Sequence, residues 1–154
     1  MRRSPTSMSP TLQFCTFYLD KVLFGVELRG VQEVIQQVEL TDVPLAPAVV
    51  GGLINLRGQI VTAIDLRRRL ELPERPDDIR PVNVVVRTRD GAVSLLVDEI
   101  GDVVEVEQDT FEAPPETLQG KIRMVILGVH KLDRQLMHLL DIEKACETAE
   151  AAIP

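Results

Sequence analysis

The sequence has no tryptophan, one tyrosine, four phenylalanines, two histidines and two cysteines in 154 residues. Each scarcity excludes something. A surface for single-stranded nucleic acid needs stacking aromatics set among basic residues, and there is little here to build one. Lys and Arg number 17 against 24 Asp and Glu, a net charge of −7, whereas phosphate binding needs the opposite balance. Cys15 and Cys146 lie near opposite ends of the chain, with no Cys-x-x-Cys pair, and read as buried thiols of a reducing compartment. No apolar run approaches the ~20 residues that span a bilayer. The opening Met1-Arg2-Arg3-Ser4-Pro5 has no apolar stretch behind it, so no secretory signal is expected there. A cytoplasmic place without direct membrane insertion follows.

Reactive groups are equally sparse. His130 and His138 fall at even spacing on a strand pattern, with no Ser, Cys or Asp arrangement to make a triad. His130 matches Ile54 in the repeat described below, which suggests a surface or edge place. Gly51-Gly52 and Gly58 lack the Lys of a phosphate loop. The acidic run Asp98, Glu99, Asp102, Glu105, Glu107, Asp109 and Glu112 follows no calcium-loop spacing. It alternates with Val103, Val104 and Val106 and reads as a solvated strand face. Arg67-Arg68-Arg69 is the one basic cluster, left to pair with acidic neighbours or with a partner. No catalytic residue, cofactor or metal site is expected.

What remains is aliphatic and β-branched, a composition that favours strands. Period-two alternation over 15–19 and 24–28, around Asp20-Lys21, predicts a hairpin. A second flanks Gly58 (53–57 and 60–65), and a third flanks Asp90-Gly91 (82–88 and 92–97). Further strands are expected over 103–106, 124–129 and 135–140. The stretch 31–35 suits a helical turn or a bent strand equally. Pro44 and Pro47 mark a loop. Residues 72–81, with three prolines and several charges, read as a linker. Residues 1–11 and 148–154 read as tails, and 141–147 as a terminal helix.

The second half repeats the first. Gly52/Gly128, Leu56/Leu132, Gln59/Gln135, Ile60/Leu136, Ile64/Leu140 and Asp65/Asp141 align without a gap. A weaker echo joins Val26, Leu28, Val31 and Val34 to Leu95, Val97, Ile100 and Val103. A period of about 70 residues is too long for a solenoid and fits two similar small β-barrels. Each of ~60 residues would be marginal alone, so the two should pack together. Asp65 and Asp141 each end a strand before a helix-like turn, where an Asp can cap free backbone N–H groups.

Three strings carry a resemblance. They are the stretch 49–69 around Gly52-Leu53-Ile54-Asn55-Leu56-Arg57-Gly58, the stretch 24–35 ending Val31-Gln32-Glu33-Val34-Ile35, and Leu96-Val97-Asp98-Glu99-Ile100-Gly101-Asp102-Val103-Val104. In this order, and over residues 13–147, the chain resembles the CheW family. The resemblance implies an all-β fold of two tandem SH3-like five-stranded barrels with a short C-terminal helix, spanning 12–147. The first subdomain would cover about 12–72 and the second about 80–147, with strand exchange between them left open.

The resemblance further implies a non-catalytic adaptor recruited to membrane-associated receptor arrays. Its partners would be the cytoplasmic tip of a chemoreceptor (a methyl-accepting protein) and the regulatory, itself CheW-like, domain of a CheA-like histidine kinase. The setting would be flagellar chemotaxis or a pilus-motility or developmental system. A small-barrel nucleic-acid binder is the remote rival. By match to the family's motifs, Glu33 and Arg57 are functionally important and lie near each other, and Val31 and Gly52 fall at positions linked to partner binding. An apolar and small-residue face around Val31, Gly52 and Ile54, ringed by charge, would bind another protein. Gly52 would keep that surface free of side chain or merely permit positive φ or a bulge. Arg57 could equally be a solvated hairpin residue. The turn at Asp133-Arg134 departs from the family's Asp-Gly, and Arg is poorly suited to positive φ, so a different turn type is expected there.

Overall fold

The computed structural model describes residues 10–147; the expected tails over 1–9 and 148–154 lie outside the described residues. Thr11, read as tail, opens β1 (Thr11–Leu19), which pairs antiparallel with β2 (Val22–Glu27). Asp20 and Lys21 between them both have positive φ, 48° and 70°, the twist-matched turn of tight hairpins. The undecided stretch is a strand, β3 (Val31–Ile35), bent by a bulge between Val31 and Glu33. β4 (Val50–Leu56) and β5 (Gln59–Asp65) form the Gly58 hairpin and lead into α1 (Leu66–Arg69). β6 (Val82–Thr88), β7 (Gly91–Val97), β8 (Glu99–Glu107) and the short β9 (Phe111–Glu112) follow.

The strand expected over 124–129 starts late. Residues Lys121–Val125 form a helix, α2, and β10 (Ile126–Lys131) begins after it. Ile122, Val125 and Ile126 all pack into one core, a helical spacing that the strand reading of 124–129 missed. β11 (Leu136–Leu140) and α3 (Ile142–Ala145) close the chain. The Asp133-Arg134 turn has no positive φ, and so is indeed of another type than the other hairpins. Both caps form: Asp65 Oδ1 accepts from the Arg67 amide at 3.0 Å, and Asp141 Oδ1 from the Lys144 amide at 3.1 Å.

The strands make two sheets, ordered β8-β1-β2-β11-β10-β9 and β3-β6-β7-β5-β4. These sheets do not follow the halves of the sequence. β1 and β2 join strands of the second half, while β6 and β7 join strands of the first. The parallel ladders show why. Thr62 of β5 pairs with Val93 of β7, and its repeat partner His138 of β11 pairs with Phe24 of β2. The exchange is thus reciprocal, and the fold is mostly β, matching tandem SH3-like barrels.

Because strand faces alternate, each barrel fills its own interior and shares a third core with its neighbour. Ile54, Leu56, Val61 and Val85 line one interior; Phe14, Leu23 and Met137 line the other. The shared core takes Phe17, Leu19, Phe24 and Val26 from the first sheet and Ile64, Val84, Val86, Leu95 and Val97 from the second. Cys15 and Cys146 are free thiols packed on this core. Burial, with Glu143 adding to it, pushes Cys146 up to about 12.

The chain crosses between sheets at Leu28–Gly30 and again at Asp98. Asp98, read from sequence as part of a solvated face, is 8% exposed in its side chain. The other acidic residues of its run are exposed, apart from half-buried Glu107. Arg67 of α1 holds the Asp98 carboxylate through Nη2 at 2.6 Å and Nε at 3.0 Å. Arg75 Nε adds a contact at 2.9 Å, and the strained Asp20 amide donates at 2.8 Å. The stretch read as a linker therefore carries a buried structural arginine.

Burial alone would raise the Asp98 carboxyl, but hydrogen bonds from Arg67, the Asp20 amide and Arg75 outweigh it and hold the group below its ordinary value. A depressed carboxylate contributes stability that is complete above the unfolded value of about 3.9 and is lost as pH falls through the folded value. Asp98→Ala, which leaves two buried guanidinium groups without their partner, is expected to destabilise by about 3–5 kcal/mol. Urea denaturation at pH 7 measures that loss. Repeating it on Asp98→Asn below about pH 4 should show a shallower acid decline than in the unaltered chain.

Candidate protein-binding site

β3 and β4 are the two edge strands of the five-stranded sheet. The sequence places Glu33 on β3 and Arg57 at the tip of the β4–β5 hairpin, and the fold brings them together. Arg57 Nη2 donates to Glu33 Oε1 at 2.6 Å, so the ion pair bridges the seam where the sheet closes into a barrel. The turn that presents Arg57 has positive φ at both central residues, 53° at Arg57 and 87° at Gly58. Asn55 Oδ1 holds it by accepting from the Gly58 amide at 2.9 Å. The Glu33 hydrogen bond, then its charge, raises the Arg57 guanidinium further above its ordinary value. The Arg57 side chain is 74% exposed and that of Glu33 21%. An exposed pair of this kind adds little to stability.

The other expected face residues fare differently. Val31 is half-buried, with part of its side chain on the shared core. Ile54 is 1% exposed and lies in the barrel interior, which corrects its assignment to the surface. The reason is parity. On β4, Ile54 and Leu56 point inward and Asn55 outward. Gly52 is buried, with φ of +147°, and a Cβ there would sit 2.9 Å from the Thr41 carbonyl oxygen. The backbone that approaches Gly52 is the chain's own: Thr41 and Leu53 exchange hydrogen bonds of 2.9 and 2.8 Å. The counterpart, Gly128, is crossed by Phe111 and Glu112 in the same manner.

Exposed apolar side chains do stand on this barrel, but elsewhere. Val34, adjacent to Glu33, is 39% exposed, and Ile60, three residues beyond Arg57, is 64% exposed. Neither was singled out from sequence as a face residue. His130 is corrected in the opposite sense. It is buried between Phe14 and Phe111. Its Nδ1–H donates to Thr110 Oγ1 at 2.9 Å, and that hydroxyl donates to the Glu107 carbonyl at 2.8 Å. Burial lowers its ordinary value. His138 Nδ1–H donates to the Leu23 carbonyl at 3.0 Å. The basic cluster is committed internally as well. Arg67 binds Asp98, Arg68 donates to the Ala48 carbonyl, and Arg69 donates to the Ala145 and Glu147 carbonyls.

Two interlocked small barrels, with the polar side chains above engaged in structural contacts and an ion pair across one seam, place the chain in the tandem SH3-like class. Comparison with known proteins gives the particular family. The family model described as a CheW-like domain matches residues 13–150. The chemotaxis protein CheW of Treponema pallidum (strain Nichols) is 30% identical over 154 residues, covering 97% of this chain and 91% of that protein. That of Bacillus subtilis (strain 168) is 29% identical over 133 residues, with 85% of each covered. The crystal structure of the scaffolding protein TtCheW from Thermoanaerobacter tengcongensis superposes with a TM-score of 0.78 at 26% identity, over 85% of this chain and 89% of that one. The chain belongs to the CheW family.

Two outcomes follow from this geometry. Gly52→Ala forces a side chain into positive φ against the Thr41 carbonyl and should cost at least about 1 kcal/mol in urea denaturation. Arg57→Ala should leave the denaturation midpoint nearly unchanged, and a large drop would mean that the seam pair is a structural clasp.

Proposed function

We propose that this chain is a non-catalytic adaptor that couples chemoreceptor signalling tips to a CheA-type histidine kinase in the cytoplasm, at receptor arrays on the membrane. The observation that carries the reading is the Glu33–Arg57 pair: well formed at 2.6 Å, yet largely solvent-exposed on the Arg57 side. Groups that contribute little to the fold but are held in fixed geometry suit recognition. Arg57 is set in an oriented fork, and Ile60 offers an apolar anchor near it. Such a patch could form the centre of an interface of ~800 Å² per partner. The kinase's regulatory domain is itself CheW-like, so the contact would be between related barrels.

The same adaptor chemistry serves a flagellar, a pilus or a developmental pathway, and nothing in the face distinguishes them. The nucleic-acid reading is not favoured. Phe14, Phe17 and Phe24 are each 0% exposed and cannot stack on bases; Phe111 alone among the phenylalanines reaches the surface, at 41%.

Calorimetry with the regulatory domain of a CheA-like kinase from the same source tests the proposal. Saturable binding is expected, weakened about tenfold or more by Arg57→Ala and by Ile60→Asp, as for loss of a central contact worth over ~1 kcal/mol. Gly52→Asp is a poor probe, because its first effect is on the fold. Undiminished binding in both variants would move the kinase face off this barrel. No binding to any cognate kinase or receptor tip would contradict the adaptor reading.

A further inference from the structure

Ile54 and its repeat partner His130 hold the same buried place in the two barrels, each 1% exposed, and only His130 can take up a proton. Phe14 and Phe111 pack on the imidazole, each with its ring centroid 5.5 Å away. Its Nδ1–H is committed to the Thr110 hydroxyl, so a further proton must add at Nε2, which has no acceptor among the described residues. Charged groups on the surrounding elements are engaged elsewhere. Glu112 of β9 pairs with Lys131 of β10 at 3.6 Å, with both side chains largely in solvent. Glu107 of β8 offers Thr110 its backbone carbonyl, and Asp109 is exposed. On β11, Met137 stands opposite His130, and His138 bonds to the Leu23 carbonyl. The only group from β1 on the ring is Phe14. Burial, with no opposing charge, is what lowers the ordinary value of His130.

The two covers of the ring are held very differently. Phe14 belongs to β1, which is paired on both sides by β2 and β8. Thr110 and Phe111 belong to the segment 108–112, whose strand β9 meets β10 at two positions only, Glu112 opposite Val129 and Phe111 opposite His130. Phe111 is itself 41% exposed. A charged ring without a partner is costly in such a place, and lifting the weakly held cover is the least expensive way for it to regain water.

We propose that residues 108–112 form an acid-sensitive flap on the second barrel, released when His130 takes up a proton. Opening bares the β10 edge beneath and reshapes the groove of about 600 Å³ that Thr110 lines with Val106 and Leu132. The first barrel has the same crossing, Thr41 on Leu53, but covers Ile54 with it and so lacks the switch. An open flap returns His130 toward its ordinary value of about 6.5, and the closed flap holds it lower. The closed form is therefore fully favoured above about pH 6.5 and loses stability as pH falls below it, through the folded value. The flap stands apart from the adaptor reading, and its test uses no partner.

Hydrogen exchange of the amides that pair β9 with β10 is measured on the full-length chain at about pH 7.5 and about pH 5.5, with the intrinsic exchange rates divided out. The opening constant is expected to rise several-fold at the lower pH, to a limit of about tenfold one unit below the unfolded value. Amides pairing β4 with β5 should not change. His130→Ile, which gives the second barrel the residue of the first, should abolish the rise. Equal protection at both pH values overturns the proposal. So does a rise shared by β4 and β5, which is general destabilisation, or one that persists in His130→Ile, which belongs to another group. Should that variant fail to fold, the contrast between the two barrels within the unaltered chain still decides.

Discussion

One carboxylate, that of Asp98, sits where the chain passes from one sheet to the other. It is gripped by Arg67 from α1, by Arg75 from the connecting segment and by the amide of the Asp20 turn. These contacts tie together segments from both sheets at a single point. An isolated buried charge would be prohibitively costly, and a half-paired one destabilising; here two guanidinium groups and an amide supply the donors. The cluster is more a device of specificity than a source of net stability, since a well-packed apolar substitute could be as stable. Its value lies in geometry. A bidentate guanidinium contact accepts few alternatives, and the crossing strand, helix and turn are therefore held in one arrangement.

That fixed crossing makes the reciprocal exchange of strands possible. Each barrel borrows two strands from the other half of the sequence, and both present a buried face to the common core. Neither barrel can part from the other without breaking ladders, so the two move as one body. For an adaptor this matters directly. A face on one barrel and a face on the other are then at a set distance and angle, and a partner bound at one is oriented relative to a partner bound at the other. The two barrels are also not equivalent. The seam that Glu33 and Arg57 bridge has Asp102 and Asp133 at the corresponding places on the second barrel, two like charges, so the same clasp cannot form there.

Much of this was legible in the sequence, for reasons that can be named. Gapless repeat pairs such as Gly52/Gly128 and Asp65/Asp141 report positions where the backbone has one solution: a close crossing in the first case, a helix cap in the second. Strand alternation placed Phe17, Phe24 and Val26 inside. The exchange itself was not legible, because a repeat gives the same pattern whichever copy supplies the pairing strand. Ile54 and His130 were assigned to the surface through resemblance and repeat rather than through parity, which puts Ile54 with Leu56 on the face opposite Asn55. That Arg67 and Arg75 both pair with Asp98 was not legible, because partners 31 and 23 residues away leave no local signal. Glu33 and Arg57 were found only through resemblance; nothing in their spacing predicts the pair.

In the proposed adaptor, one rigid body presents two partner faces at once. Sedimentation velocity on a mixture of this chain, a kinase regulatory domain and a receptor-tip fragment tests it most directly. A ternary species, larger than either binary complex, is expected to form at stoichiometric concentrations. If the two partners displace each other and only binary complexes sediment, the faces overlap and the adaptor account is wrong.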